Sequence, residues 1–102
     1  MTRKELLCKM KPYPEFYRAV WLACLGIKAG QTRSYKWLAQ RIGRPRAARA
    51  VALALKRNPF APLVPCHRVV RSDGTLGGYS GPGGAAAKLR LLRAEGAIAQ
   101  KS

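Results

Sequence analysis

Residues 32–59 read TRSYKWLAQRIGRPRAARAVALALKRNP and predict two short helices joined by a tight turn. Thr32 or Ser34 can cap the first helix, because a side-chain oxygen at this position accepts a hydrogen bond from an unpaired helix amide. The apolar stripe of this helix comprises Tyr35, Leu38, Ala39 and Ile42. Gly43 then interrupts the pattern, and Pro45 suits the first position of the second helix. The pair is typical of a helix-turn-helix.

The second helix, which we expect to stop at Asn58-Pro59, has an apolar face, a basic face and a strip of alanines. The apolar face, predicted to be buried, comprises Ala48, Val51, Ala52 and Leu55; the basic face comprises Arg46, Arg49 and Lys56; the strip comprises Ala47, Ala50 and Ala54. Small side chains let a helix backbone approach another surface, and arginine binds phosphate. The pattern therefore favours contact with DNA over a merely solvated basic helix.

Upstream of this pair, residues 14–26 predict an amphipathic helix that faces the core. Its apolar positions at helical spacing are Phe16, Val20, Ala23, Cys24 and Ile27. Residues 1–13 are basic, and we expect them to be irregular. The tail 97–102 is likewise expected to be irregular, and residues 1–102 are expected to form one domain.

The charge balance is extreme, with 20 Lys and Arg against 4 Asp and Glu, a formal net charge of +16 over 102 residues. Such an excess of cations suits a polyanionic partner, with nucleic acid favoured over an anionic membrane surface. No apolar run is long enough to cross a membrane, and the basic start lacks the apolar stretch of a signal peptide.

A possible nucleophile lies in Pro65-Cys66-His67-Arg68-Val69, which contains the single histidine of the chain. A thiolate is the reactive form of cysteine, and a neighbouring imidazole promotes it. The alternative is a small buried cysteine beside a surface histidine. Of the other two cysteines, we expect Cys24 to lie in the core and Cys8 to be incidental. The odd number and wide spacing of the three cysteines predict no metal site and indicate a reducing, intracellular location.

The remaining residues predict a hairpin, a loop and a last helix. Val69-Val70 and Leu76 flank the turn signal Arg71-Ser72-Asp73-Gly74, so a short β-hairpin resembling a wing is expected. The glycine-rich run 77–84 carries an aromatic residue and a hydroxyl, which favours a pocket wall over a linker. Residues 85–95 form the last helix, on which Glu95 can turn inward toward His67. The predicted fold is mainly α, a winged-helix-like helix-turn-helix domain with a short β-hairpin.

Together these motifs resemble the C-terminal domain of the O6-alkylguanine-DNA alkyltransferases over residues 14–96. The matching text is Thr32-x-Ser34-Tyr35-x-x-Leu38-Ala39, Arg49-Ala50-Val51, Asn58-Pro59, Pro65-Cys66-His67-Arg68-Val69, Gly78-Tyr79-Ser80-Gly81 and Lys88-x-x-Leu91-Leu92-x-x-Glu95-Gly96. The resemblance implies that an alkyl group passes from O6 of guanine to the Cys66 sulfur and stays there. The protein would act once, as a monomer and without a cofactor.

The resemblance also implies roles for the other catalytic residues. His67 would take the thiol proton through a water, and Glu95 would orient His67, as in a hydrolase triad. Asn58 would brace the turn that holds the cysteine. Tyr35 would crowd the target phosphate and donate a hydrogen bond to guanine N3.

The implied partner is double-stranded DNA containing O6-alkylguanine, whose damaged nucleotide is flipped out of the helix. Arg49 would fill the vacated space in the base stack from a helix in the minor groove. The implied DNA-binding set is Arg49, Tyr35, Arg46, Ala47, Ala50, Thr32 and Ser34, and the implied pocket is Tyr79, Ser80, Val69 and Pro65. No membrane contact is expected, and the location would be the cytoplasm of a prokaryote or the nucleus of a eukaryote.

Two departures and two alternatives accompany this interpretation. Family members commonly carry a further N-terminal domain, which has no counterpart here, and often have glycine where this chain has Ala52. The first alternative is a non-catalytic alkyltransferase-like protein, which binds the lesion and recruits excision repair but usually carries tryptophan in place of the cysteine. The second is a winged helix without lesion preference, which accounts for the charge but not for Cys66, His67 and Glu95 together.

Overall fold

A computed structural model describes residues 2–61, 63–72 and 83–97 of the chain. Its elements, in order, are α1 (Arg3–Met10), α2 (Glu15–Leu25), β1 (Arg33–Ser34), α3 (Tyr35–Arg41), α4 (Ala48–Lys56), a 3₁₀ turn (Cys66–Arg68), β2 (Val69–Val70) and α5 (Gly84–Ala94). The mainly helical prediction is confirmed. Within these ranges, no helix has the length and apolar character needed to span a membrane.

The prediction that residues 1–13 are irregular is wrong, because Arg3–Met10 forms α1. The Thr2 hydroxyl accepts a hydrogen bond from the Glu5 amide at 3.1 Å and so caps the helix. Leu6 and Met10, one turn apart, are buried in the core. The many cations in this segment make its short apolar stripe hard to recognise in the sequence. A helix this short is stable only because its apolar stripe packs against the rest of the domain.

The predicted helix 14–26 is observed as α2, and it lies at the centre of the core. Trp21 is fully buried, and its indole N–H donates to the Ala54 carbonyl of α4 at 2.9 Å. Edge-on contacts of its ring with Tyr13 and Phe60 tie the segments before and after the helical pair to α2. Cys24 is also fully buried on this helix, whereas Cys8 is exposed.

The helix-turn-helix is confirmed in α3 and α4, with corrections at its boundaries. Ser34, rather than Thr32, caps α3 by accepting a hydrogen bond from the Trp37 amide at 2.9 Å. Pro45 does not begin α4, which starts at Ala48 after a turn closed by a hydrogen bond from the Ala47 amide to the Arg44 carbonyl.

The buried face of α4 is Val51, Ala54 and Leu55, so the prediction that Ala48 and Ala52 are buried is wrong; both are half-buried. Ala54 was predicted to lie in the strip that approaches an outside surface. It is fully buried because the small side chain lets Trp21 of α2 reach the α4 backbone. The contact between α2 and α4 thus sets which face of α4 remains outside.

The two strands pair in parallel, Arg33 with Val69 and Ser34 with Val70. The residue predicted to return the hairpin, Leu76, lies outside the described residues. The partner that the structure shows for Val69–Val70 is instead β1, which immediately precedes α3. This long-range pairing sets the 3₁₀ turn with Cys66 beside Tyr35 at the start of α3.

Helix α5 extends over Gly84–Ala94, close to the predicted 85–95. Gly83, which precedes it, has φ 89°, and a Cβ there would lie 2.9 Å from the Ala87 side chain. The chain therefore enters α5 through a position that only glycine suits. On α5, Lys88 is fully buried, and Glu95 follows the last helical residue, close to His67.

Candidate active site

Cys66 begins the 3₁₀ turn and is nearly buried, with 4% of its surface exposed. The turn is tied by hydrogen bonds from the Cys66 amide to the Val64 carbonyl at 2.8 Å and from the Arg68 amide to the Pro65 carbonyl at 2.9 Å. Cys24 differs in kind, because burial strongly raises the pKa of its thiol. Cys24 therefore stays a protonated core residue, whereas Cys66 is set in a fixed turn next to a base.

His67 and Glu95 are brought together as predicted, with Nε2 of the imidazole 2.9 Å from Oε1 of the carboxylate. His67 is only 2% exposed, so the alternative of a surface histidine is wrong. Burial lowers the pKa of His67, and the hydrogen bond with Glu95 partly opposes that shift. A neutral imidazole with an ordered ring can accept a proton near neutral pH.

Arg68 shares the Glu95 carboxylate with His67, a contact that the sequence analysis missed. Its guanidinium donates Nε to Oε1 at 3.0 Å and Nη2 to Oε2, and Nη1 donates to the Ile27 carbonyl at 2.8 Å. These bonds are the first cause of the lowered pKa of Glu95, which keeps the carboxylate charged. Two features of the sequence could have predicted the pair of Arg68 and Glu95: Arg68 is adjacent to His67, and the chain has few acids with which an arginine could pair.

Asn58 lies where the resemblance implied, beneath the segment that leads to the cysteine. The side chain is 4% exposed; its amide donates to the Val64 carbonyl at 3.0 Å, and its oxygen accepts from the Phe60 amide at 2.8 Å. The two hydrogen bonds connect both ends of the Phe60–Val64 loop to the same side chain. Because Val64 in turn accepts from the Cys66 amide, Asn58 braces the turn that carries the thiol.

Lys88 is fully buried, and the sequence analysis did not single it out. Its ammonium donates to the Val69 carbonyl at 2.6 Å and lies 5.8 Å from the centre of the Tyr35 ring. Burial lowers the pKa of Lys88 to about 8. The spacing of residues on the last helix could have predicted this burial. Lys88 lies four residues before the buried Leu92 and seven before Glu95, so the three share one helix face.

The implied pocket residues divide between the described and undescribed parts of the chain. Pro65 and Val69 are buried on either side of Cys66 in the sequence. Tyr79 and Ser80 lie outside the described residues. The Val69 carbonyl accepts from Lys88, and a carbonyl has a second lone pair for a ligand.

The implied DNA-binding residues lie in α3 and α4 and in the segments that directly precede these helices. Arg46, Arg49 and Ala50 are exposed, and Ala47, Thr32, Ser34 and Tyr35 are half-buried. Burial raises the pKa of Tyr35, so its phenol remains a hydrogen-bond donor. A cavity of about 230 Å³ is lined by Tyr35, Lys36, Ala48, Arg49, Ala52, Arg71 and Ser72.

In the ranges that the structure describes, no three His, Cys, Asp or Glu side chains lie close enough together to hold a metal ion. The donor groups of the site bind one another instead: Glu95 is shared by His67 and Arg68. The arrangement consists of a thiol in a rigid turn, a neutral base and an anchored carboxylate. It can generate a thiolate next to a basic surface.

Comparison with known proteins agrees with this geometry. The family model described as 6-O-methylguanine DNA methyltransferase, DNA binding domain, matches residues 15–97. Among curated proteins, the chain is 53% identical over 81 residues to the methylated-DNA–protein-cysteine methyltransferase of Mycobacterium leprae, covering 79% of this chain and 48% of that protein. It is 52% identical over 79 residues to the mouse protein of the same name, covering 78% and 37%. The chain thus spans half or less of the length of these relatives.

Two solved structures frame the similarity. Mycobacterium tuberculosis OGT in complex with DNA matches with a TM-score of 0.78 at 49% identity, over 82% of this chain and 51% of that chain. The ATL of S. pombe in complex with DNA matches with a TM-score of 0.70 at 30% identity, over 86% and 82%.

Proposed function

We propose that this chain, which belongs to the 6-O-methylguanine DNA methyltransferase family, repairs double-stranded DNA by moving the alkyl group of O6-alkylguanine onto Cys66. The observation that carries the proposal is the buried His67, hydrogen-bonded to the half-buried Glu95 and directly beside a cysteine in a braced turn. The names of the relatives, at about half identity to this chain, support the same reaction.

The transfer balances without a cofactor. His67 takes the thiol proton, directly or through a water, and because its Nε2 faces Glu95, Nδ1 is the accepting nitrogen. The Cys66 thiolate attacks the alkyl carbon, so that the S–C bond forms while the C–O6 bond breaks and its electron pair stays on guanine. The guanine anion gains one proton through the hydrogen bond from the Tyr35 phenol, and the proton that His67 took from the thiol returns to the phenol through solvent, so no charge is left on either side chain. The thioether is stable, so each molecule acts once.

Glu95 and Arg68 assist by fixing charge. When His67 takes the proton, its positive charge is stabilised by the carboxylate 2.9 Å away. Arg68 holds that carboxylate ionised and in place, which orients the imidazole before the reaction. The carboxylate therefore acts through His67, and Arg68 acts through the carboxylate.

Recognition of DNA falls to the exposed side of α3 and α4. A net charge of +16 gives phosphate contacts a large share of the binding free energy. The small side chains of Ala47 and Ala50 let the first turns of α4 approach a groove, and Arg49 extends from the same helix. Extrusion of the damaged nucleotide is required because Cys66 is buried and cannot reach into a base stack. We propose that one monomer carries out all of these steps.

The second candidate is a damage sensor without transfer activity. It is favoured by the similarity of this chain to the ATL of S. pombe in complex with DNA, with a TM-score of 0.70 at 30% identity. The complete set of Cys66, His67 and Glu95 favours transfer.

The discriminating experiment compares wild type with Cys66→Ala on a duplex that contains one O6-methylguanine. Wild type should restore guanine up to one equivalent, measured by nucleoside analysis after digestion of the DNA. The variant should restore none and still bind the lesion in a polarisation assay, and the matched control Cys8→Ala, at an exposed position, should behave as wild type. Binding without restoration by wild type would establish the sensor, and restoration by Cys66→Ala would refute the nucleophile.

A further inference from the structure

The cavity beside Tyr35 carries cations that the alkyl-transfer step does not use. It is lined by Tyr35 at the start of α3 and by Ala48 and Ala52 on α4, and its volume is about 230 Å³. Its polar lining comprises Lys36, Arg49, Arg71 and Ser72. Three cations and a hydroxyl, with no carboxylate in the described lining, suit a small anion.

Arg71 connects this cavity to the buried site. It follows β2 directly, so the strand that carries the Val69 carbonyl also delivers Arg71 to the cavity. Its positive charge opposes the burial that raises the pKa of Tyr35, and it adds to the burial that lowers the pKa of Lys88. The guanidinium is therefore close enough to act electrically on both residues, one lining the cavity and one beside the reactive centre.

Among small anions, phosphate best fits the side chains that line this cavity. A guanidinium binds two phosphate oxygens at once through its planar fork, and a serine hydroxyl adds a third bond. Arg71 and Ser72 are adjacent and exposed. The first turn of α4 faces the same cavity through Ala48, and the positive end of its dipole favours an anion there.

We propose that this cavity holds the backbone phosphate that flanks the extruded nucleotide, with Arg71 as its principal ligand; the inference rests on the proposed function. A base that reaches Cys66 passes Tyr35, so its phosphate remains at the surface beside the same tyrosine. Arg49 and Arg71 then divide the work. Arg49 replaces the base in a duplex, whereas Arg71 positions any nucleotide that has a phosphate, whether or not it has been paired.

The test uses three substrates: free O6-benzylguanine, a single-stranded oligonucleotide containing that base, and the corresponding duplex. Wild type, Arg71→Ala, Arg71→Lys, Arg49→Ala and Arg3→Ala are compared by transfer rate and by binding of the single strand. Arg3 is a matched control, because it is an exposed arginine on α1 that lines neither described cavity.

Arg71→Ala should lose roughly tenfold to a hundredfold in rate on both oligonucleotides, as expected for one charge-assisted phosphate contact, and far less on the free base. Its salt slope for single-strand binding should fall by about 0.7, and Arg71→Lys should recover part of the loss. Arg49→Ala should lose mainly on the duplex.

A single-strand rate for Arg71→Ala equal to that of Arg3→Ala would overturn the inference while leaving the proposed function intact. An equal loss on the free base would also overturn it, because that loss would indicate a distorted pocket rather than a phosphate contact. If wild type transfers nothing to any substrate, the proposed function fails, and an unchanged salt slope in Arg71→Ala would then reject the phosphate site separately.

Discussion

Replacing Glu95 by glutamine removes a charge that the buried His67 and the partly buried Arg68 share. The carboxylate accepts from Arg68 through both of its oxygens and contacts His67 Nε2 at 2.9 Å. Glutamine has nearly the same shape but only one accepting oxygen, and its amide would face a donor of Arg68. The variant therefore leaves a partly buried guanidinium without its anion while it changes little in packing.

The magnitude follows from the burial of the pair. Removing one partner of a fully buried ion pair costs about 3–5 kcal/mol. The two side chains are 17% and 18% exposed, so partial screening by water reduces the expected loss to about 2–3 kcal/mol. That is a large share of the roughly 5–15 kcal/mol that stabilises a domain, and it corresponds to a fall in Tm of roughly 10–20 °C.

The pH dependence gives a sharper signature. The pKa of Glu95 is lower in the folded chain than its ordinary value of 4.5, so the unfolded chain binds the proton first. The contribution of the carboxylate is complete above that ordinary value and is lost as pH falls through the folded pKa. The stability difference between wild type and Glu95→Gln should therefore be full at pH 7 and should shrink as pH falls below 4.5.

The assay is urea unfolding at several pH values, with Glu15→Gln as the matched control. Glu15 is exposed in the first turn of α2, where a carboxylate is worth less than about 1 kcal/mol. Transfer by Glu95→Gln, measured where the variant is fully folded, should also slow because His67 loses its orienting anion. Equal stability of the two variants at pH 7, or a difference that persists in acid, would refute this reasoning.

Three further predictions concern charge. Wild-type stability should rise between pH 8 and 10.5 relative to Lys88→Met in urea unfolding, because the unfolded chain holds a lysine proton that the folded chain has released; parallel profiles would contradict the burial of that charge. Arg49→Ala should lose at least tenfold more rate on duplex DNA than on free O6-benzylguanine, since only the duplex requires extrusion; equal losses would count against its role in the stack. Lesion binding should weaken steeply between 50 and 200 mM salt, by about tenfold or more; a flat titration would exclude phosphate-dominated binding.

Local patterns predicted those parts of the site that depend on neighbours in sequence. Cys66 and His67 are adjacent, and Glu95 shares a helix face with Leu92, so their meeting could be inferred before the fold was known. The helix-turn-helix followed from its caps and apolar spacing. In these cases the residues that form the predictive pattern are the same residues that form the local structure.

Other parts depend on contacts between distant segments. The parallel pairing of Arg33–Ser34 with Val69–Val70 involves two residues on each side and no tight turn, so no local pattern announces it. Lys88 is buried because Val69 offers a carbonyl at 2.6 Å and Tyr35 a ring face, and both come from other elements. The residue type alone predicts an exposed side chain at position 88, since lysine is rarely buried without such partners.

The central claim is that Cys66 keeps the alkyl group, and intact-protein mass spectrometry tests it directly. After incubation with excess duplex containing O6-methylguanine, the protein should gain one methyl group, about 14 Da, on the peptide that contains Cys66, and Cys66→Ala should gain none. The gain should stop at one equivalent. An unchanged mass despite lesion binding would show that the protein does not transfer the methyl group, and a methyl group located at another residue would exclude Cys66 as the acceptor.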